Sequence, residues 1–518
     1  MELDALKNVL LSGERPENEL SDLNLLSGEL IIYPRSVHHS GESIYFIAKD
    51  KSEKNLFILF KKKALLNDFQ NGKLVRENGD SILMKFPLST HNRKCIQKIF
   101  DFTNPVTAGL QNSFGFGDRI GLANPGHLKA LNGYKFFPVL AQQSIRELTR
   151  TNRTADEVMD AAVWSVFQEG FTSGFGADAD HLKSTDDIDM MAAAGYKMFT
   201  FDPGEYVLNE ADNLDESSLL KKLSEYPWVE LNDSVDEAIK RYLSGKIEVD
   251  EFTIDVEKID LLRAYSKYGR ALAHVKKLFH HLKNNYSDYN FEVEISVDET
   301  DSVTSVFEHY FIASELKRLG VEFVSLAPRF PGAFEKGIDY KGDLSFFESE
   351  YRKHAALTVH FGTYKISLHS GSDKFTVYKI IAKINKGFIH IKTAGTSYLE
   401  ALKVTAVREP DLFREILNFS RGLYESEKRT YHVSADLNRV KEAYEYNDEE
   451  LLQLFYSDDA RQVLHVTFGK VLTEKNSSGD YLFKEKIINC LKEHEDLHNE
   501  ILIKHFNKHL EPFKEINS

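Results

Sequence analysis

Charged and imidazole side chains recur in this chain at every second position of short runs whose other positions are apolar. The plainest run is Phe291 to Glu299, FEVEISVDE, where Val293, Ile295 and Val297 alternate with Glu292, Glu294, Ser296 and Asp298. Alternation with period two belongs to a β-strand with two unlike faces. The same parity returns at Asp178 and Asp180 in GADADH, at Thr200 and Asp202 in MFTFD, and at Lys365, Ser367 and His369 in YKISLH. It returns again at His390 and Lys392 in FIHIKTAG, and at His432, Ser434 and Asp436 in YHVSADL. One such run reads as an edge strand with its acids in water. Six of them in βα context read as a parallel sheet closed into a barrel. The polar face then points at the barrel axis, where charge must be paired or bound to metal.

Active sites of such barrels lie at the C-terminal ends of the strands. That rule ranks Asp180 with its neighbour His181, Asp202, Glu294 to Asp298, His369, and His390 to Lys392 above the other inward residues. Asp180 and Glu294 are the expected acid–base residues. His181, His369 and His390 are the expected ligands of a divalent transition metal (Zn, Mn, Ni, Co or Fe). Imidazole nitrogen mixed with carboxylate oxygen suits these ions better than Mg or Ca, which prefer oxygen alone. The expected ligands are drawn from separate strands and not from one local motif. Asp118, Arg119, Asp202, Asp298, Arg329, Lys374 and Lys392 are the expected contacts to a polar, anionic substrate. Structural roles compete with several of these. Arg119 has Asp118 beside it as an ion-pair partner, and His181 sits where it would cap the next helix. Glu292, deepest on its strand, has Lys365 as a partner, and His390 and His432 have neighbours to bond. His309 in FEHYF and the pair His38–His39 read as packed or surface histidines. FGFGD at 114–118 lacks the full GxGxxG pattern and the acidic-ended second strand of a dinucleotide site.

The elements that must position these residues are legible in outline. Counting from Ser113 to Asp118 gives eight strands, with VEFVSLAP among them and YHVSADL the last, the number that closes a (β/α)8 barrel. Between them, helical patterns run over Thr154–Glu169, Asp255–Asn284, Ser302–Leu319, Leu344–Thr358, Phe375–Ile384 and Tyr398–Ser426. Thr154 with Glu157 forms a capping box at the first of these. The domain reading is a β-rich accessory piece over 1–100, the barrel over 101–440 and a helical, charged extension over 441–518. In the first piece the strands are Leu30–Tyr33, Ser43–Ala48, Asn55–Phe60 and Ser81–Phe86. An acidic, irregular segment near 204–250 reads as an insertion on the barrel.

The chain is 518 residues long, enough for a barrel and accessory domains. Its formal net charge of −15, with no basic arm or stripe, argues against nucleic acid or an anionic membrane as partners. With only Cys95 and Cys490 a disulfide framework is implausible, and a reducing cytoplasm is the expected location. The first twenty residues mix acids and bases among leucines, which is not the pattern of a signal peptide. Oligomeric state is not legible.

Several blocks resemble the tagaturonate epimerase family: SFGFGDRIGLANPGH, GFGADADHLKSTDDID with FTFDPG, EISVDETDSVTS, SLAPRFPGAFEKGIDY, SLHSGSDKF, HIKTAGTSYLEAL and RQVLHVTFG. The resemblance runs from about residue 100 into the C-terminal helices. It implies metal-dependent interconversion of D-tagaturonate and D-fructuronate, both sugar acids, on a TIM-barrel-like scaffold. The two sugars differ at C4, which is β to both the C2 ketone and the carboxylate carbon. The C4 proton is therefore not acidified, and deprotonation there would be very slow. Without a nicotinamide site, the expected route is retro-aldol cleavage between C3 and C4, rotation of the aldehyde half and re-addition. Asp180 would take the C4 hydroxyl proton, and Glu294 or Lys392 would handle protons on the other face. Arg329, Lys374 or Arg119 would clamp the carboxylate. The competing expectations are a different metal-dependent sugar isomerase or aldolase on the same fold, and a non-catalytic sugar-acid binder.

Overall fold

The computed structural model describes residues 30–50, 53–62, 68–250, 252–384, 388–393 and 395–517. The charge-mixed stretch at the N-terminus lies outside the described residues.

The chain begins with an antiparallel sheet of β1 (Leu30–Ile32), β2 (His38–Ser40), β3 (Ser43–Asp50), β4 (Glu53–Lys61), β5 (Lys73–Asn78) and β6 (Ser81–Pro87). The order is β1-β3-β4-β6-β5, with β2 paired to β3. Alternation explains why this sheet docks. Phe46, Phe57 and Leu59 pack on one face, while Tyr45, Ile47, Leu56 and Ile58 on the other meet Trp164 and Phe167 of the helix Ala155–Glu169. The second face is thus sealed against a barrel helix. β5 was not expected, because KLVREN is charged and exposed throughout and offers no alternation to read.

The barrel consists of β7 (Ser113–Phe116), β8 (Phe137–Ser144), β9 (Gly176–Leu182), β10 (Met198–Phe201), β13 (Glu292–Val297), β14 (Ser325–Pro328), β15 (Lys365–Leu368) and β16 (Ile389–Thr393). A hairpin of β11 (Ile247–Val249) and β12 (Phe252–Ile254) interrupts the count between β10 and β13. Parallel pairing closes the ring in the order β10-β13-β14-β15-β16-β7-β8-β9. The expected (β/α)8 barrel is the observed fold, with one strand reassigned. YHVSADL is not a barrel strand. Its Val433, Ala435 and Leu437 pack against the C-terminal helical core, and Leu437–Arg439 forms a 3-10 turn. The missing strand is FPVLAQQS, in which every residue is buried. A strand covered on both faces shows no alternation, so the parity test passes over it.

Helix boundaries follow local chemistry. Thr154 and Glu157 form the expected capping box, and Ser305 with Glu308 forms another at Val306–Arg318. The pattern over 398–426 is two helices, Thr396–Arg408 and Pro410–Glu427, because Pro410 starts a new helix and cannot continue the old one. The acidic segment after β10 folds into turns, the helices Glu216–Ser224 and Val235–Tyr242 and the hairpin. Its buried Leu219 and Leu223 belong to the same core as the long helix Lys258–Asn285. At the C-terminus, Glu495–Leu510 lies so close to the helix Asn124–Ala130 that a Cβ on Gly126 would stand 2.7 Å from Leu502. Among the described residues no helix is long and apolar enough to cross a membrane.

Five buried histidines are held neutral. Burial pushes His127, His354, His390 and His509 down to about 3 and His498 to about 4. In the unfolded chain each takes a proton near its ordinary value, so the stability they contribute is complete above that value and drains away as the pH falls below it. At pH 5.5 the loss is about 1.4 kcal/mol per histidine. Asp178, His181 and His369, raised to about 7, 9 and 10, have the opposite sign and offset part of this loss, but they are three groups against five. Thermal unfolding at pH 7 and pH 5.5 should therefore show a clear fall in Tm at the lower pH. An unchanged Tm would mean that these rings are not neutral and buried in solution.

Candidate active site

The barrel interior is built in levels. At the bottom, the Glu292 carboxylate accepts N–H bonds from Ala108 and Gly109 at 3.0 and 2.7 Å. Lys365 donates to the carbonyls of Gly109 and Gln111 and to Ser113 Oγ. Glu292 and Lys365 thus join through the 108–113 segment instead of directly. Ser113 Oγ also lies 2.8 Å from His390 Nδ1. His390 is held neutral below the mouth, its Nε2 without a hydrogen-bond partner among the described residues, and it is not among the three residues whose ligand atoms converge above it.

The middle level is one ammonium among carboxylates. Lys392 Nζ lies 2.7 Å from Asp178 Oδ2, Asp180 Oδ1 and Glu294 Oε1, and donates to Thr200 Oγ1 at 2.7 Å. Burial opposes every charge here. For Lys392 the three carboxylates outweigh it and hold the ammonium well above its usual range. For Glu294, Lys392 and His369 outweigh it, and for Asp180, His181 and Lys392 do, so both carboxyls sit well below the usual range. Asp178 is the member left raised, at about 7, because burial there exceeds the help from Lys392.

The upper level opens into the mouth, and a backbone irregularity shapes it. β9 carries one extra residue against β10, since Phe199 pairs with Ala179 and Phe201 with Leu182. The bulge falls at Asp180–His181, and His181 sits at φ +56°. On a regular strand these neighbours would face opposite ways, whereas the bulge turns both toward the mouth. His181 Nδ1 lies 2.8 Å from Asp180 Oδ1, and its ring centre is 5.1 Å from that of His369. His369, following β15, directs Nε2 to Glu294 Oε1 at 2.7 Å and Nδ1 toward Asp298 Oδ1 at 3.0 Å. The helix after β9 is capped by Ser184, so His181 is not its cap.

This level fits a metal ion. Ligand atoms of His181, Asp298 and His369 all lie within 4.8 Å of one another. Among the described residues, His181 Nδ1 and His369 Nδ1 make no hydrogen bond, although carboxylate oxygens stand beside them. The second nitrogen of His369 is held by Glu294, the outer carboxylate that commonly orients a metal-bound imidazole. Burial works against charge on both rings, yet Asp180 raises His181 to about 9 and Asp298 raises His369 to about 10. Those two protons partly balance an excess of carboxylate over Lys392, and a dication would displace them.

These residues line a cavity of about 260 Å³ at the C-terminal mouth. Of the expected site residues, Asp180, His181, Asp298, His369, Lys392, Arg119 and Arg329 line it, and Glu294 sits directly beneath. Three others are engaged elsewhere. Asp118 accepts from the backbone N–H groups of Ile120, Gly121 and Ala123 and shapes its own loop. Asp202 accepts from Gly204 N. Lys374 donates to the carbonyls of Glu335, Ile338 and Ser372, which uses all of its protons. Arg119 pairs with Glu147 and not with Asp118. Sequence reasoning missed Arg146, Glu299, Lys336 and His465, which also line the cavity. Arg146 comes from the helix Ile145–Thr151 after β8, Glu299 and Lys336 from loops and His465 from a C-terminal helix, where no strand parity marks them. The cavity is thus bipolar, combining the donors His181, Asp298 and His369 with the cations Arg119, Arg146, Arg329 and Lys336, of which Arg119 and Arg146 are paired with Glu147 and Glu299.

Comparison with known proteins agrees along nearly the whole chain. A profile of the tagaturonate epimerase family matches residues 33–513. The tagaturonate/fructuronate epimerase of Thermotoga maritima is 40% identical over 487 residues, covering 93% of this chain and 96% of the relative. A glycerol-complexed crystal structure of fructuronate-tagaturonate epimerase from Cohnella laeviribosi superposes with a TM-score of 0.87 at 35% identity, over 99% of both chains. The native crystal structure of the Cohnella enzyme gives 0.87 at 36%, over 96% of this chain and 99% of that one.

Replacing Lys392 by Met leaves Asp178, Asp180 and Glu294 buried around an apolar group. Breaking a buried ion cluster in this way costs about 3–5 kcal/mol. Denaturant unfolding should show that loss, and a Lys392→Met protein as stable as its parent would refute the reading of Lys392 as the interior counter-charge.

Proposed function

The chain belongs to the tagaturonate epimerase family, and from that premise we propose that this epimerase interconverts D-tagaturonate and D-fructuronate by inversion at C4. The observation that carries the reading is the bipolar cavity, which offers oxygen-chelating donors and cations to one anionic sugar. His181, Asp298 and His369 would hold a divalent transition metal. Such an ion supplies Lewis acidity toward the oxygens of the ketone half.

The chain's own residues provide the rest. Asp180, ionised and fixed by Lys392, takes the proton of the C4 hydroxyl. The C4–O bond becomes a carbonyl as the C3–C4 bond breaks, and its electron pair moves toward the C2 oxygen. The aldehyde half turns about C4–C5 and presents its other face. C3 re-adds, and the new C4 alkoxide takes back the proton that Asp180 has held. Lys392 stays an ammonium throughout, so its part is to hold Asp180 and not to shuttle protons. Glu294 lies under the cavity floor with Lys392, His369 and Ser325 as partners, which suits holding His369 and leaves it no reach to the sugar. The earlier expectation that Glu294 or Lys392 serves the second face is therefore replaced.

Metal-stripped protein incubated with D-tagaturonate should form D-fructuronate only after Mn²⁺, Zn²⁺, Ni²⁺ or Co²⁺ is returned, and free ketohexoses should not react. If no ion restores turnover, the metal assignment fails. Asp180→Asn should keep its metal and lose about 10²–10⁴-fold in kcat. Full activity in that variant would remove Asp180 as the base.

A further inference from the structure

His465 belongs to the helix Asp458–Val466, outside the barrel, yet its ring lines the cavity and is 1% exposed. Among the described residues, neither of its ring nitrogens has a hydrogen-bond partner. A fully buried imidazole with both nitrogens unsatisfied costs several kcal/mol of hydrogen bonding, and native proteins keep such groups where a ligand completes them. The ring is also seated with care. A Cβ on Gly395 would stand 1.9 Å from its Cε1, and one on Gly337 would stand 3.3 Å from its Nδ1. Gly337 follows β14 and Gly395 follows β16, the strands on either side of β15, which is opposite β9 in the ring of eight. His465 therefore stands across the mouth from Asp180.

A second unsatisfied atom lies on the same wall. Arg119 spends Nε and Nη2 on Glu147 Oε1, at 2.9 and 2.7 Å, and stacks its guanidinium on Phe468 with 3.6 Å to the ring centre. Its Nη1 is buried and, among the described residues, has no partner. Burial and the charges of Arg119 and Lys336 keep His465 neutral. A neutral imidazole offers one donor and one acceptor. With Arg119 Nη1 the wall then presents two donors and one acceptor. That is the complement of a carboxylate carrying a hydroxyl on its α-carbon, which brings two acceptors and one donor.

We propose that His465 and Arg119 form a subsite for the α-hydroxycarboxylate end of the substrate, in which His465 reads the α-hydroxyl. The inference rests on the ketohexuronate reading and adds an orientation to it. The uronate end, C5 and C6, lies on the His465 wall, and the ketone half lies toward His181, Asp298 and His369. The half that turns is the half His465 holds, so this residue also governs which faces of the aldehyde are presented.

The test compares two inhibitors of the metal-loaded enzyme, DL-glycerate and 3-hydroxypropionate, which differ only in that glycerate carries the α-hydroxyl. The wild type should bind glycerate roughly tenfold more tightly, the worth of one well-placed hydrogen bond. His465→Leu should erase that ratio and raise KM for D-tagaturonate at least as much, with metal content unchanged, and His465→Gln should restore part of both. Gly395→Ala, which displaces the ring without deleting it, should mimic His465→Leu. Equal binding of the two inhibitors by the wild type overturns the proposal without recourse to any variant, and so does a ratio that survives His465→Leu. If glycerate binds through His465 but the protein turns over no ketohexuronate, the subsite stands and the reaction reading falls.

Discussion

A closed barrel leaves its interior charges nowhere to go, and the Lys392 ammonium is what makes this interior tenable. Three carboxylates reach it at hydrogen-bonding distance from β9 and β13. Unpaired, each would carry a desolvation cost of several kcal/mol or be forced to take up a proton. The site above inherits its geometry from this cluster. Glu294, held by Lys392, holds His369, and Asp180, held by Lys392, faces His181. Moving the ammonium would move Asp180 and both imidazoles together, which is why the mouth is best seen as the top of a column of charge and not as a patch on a surface.

The sequence disclosed this column better than it disclosed the barrel around it. Period-two parity found β9, β10, β13, β15 and β16, because each carries polar residues inward and apolar residues toward the helices. It failed at β8, where Gln142, Gln143 and Ser144 are all buried and the alternation is gone. It was misled at 431–437, where the apolar residues face a helical core that merely imitates a barrel wall. Parity also tells inside from outside without telling height along the axis. His390 and Lys392 share a face, yet one is beside Ser113 in the floor and the other reaches the cavity. Arg146, Lys336 and His465 could not be found this way, since Arg146 sits on the helix after the unread β8, Lys336 on a loop and His465 on a C-terminal helix that closes over the mouth.

Unusual backbone gathers where the chemistry is. His181 at φ +56° is one of the two imidazoles of the mouth, and Ser370 at +49° and Asp373 at +62° follow the other, His369, in a region that residues with a Cβ adopt at a cost of about 1–2 kcal/mol each. The surroundings fix them there. Asp373 is bound by Arg461 at 2.8 Å and by His505 at 2.9 Å, both from C-terminal helices. The extension beyond the barrel is thus part of the scaffold of the site, through Asp373 as well as through His465.

The span between Asp180 and Lys392 has a bearing on how the protein comes into being. The partners are 212 positions apart. A growing chain therefore exposes the acids of β9 and β13 long before the ammonium that neutralises them has been made. Until then a partly wound barrel cannot dry its own lumen, because closing it would trap uncompensated anions. Water must stay inside, or protons must be taken up, until β16 slots in beside β7. Long-range closure of this kind is slow and leaves sheet edges open meanwhile. The last strand of the barrel thus brings the charge that lets the lumen dry, while the helices that follow it complete the mouth through Arg461, His465 and His505.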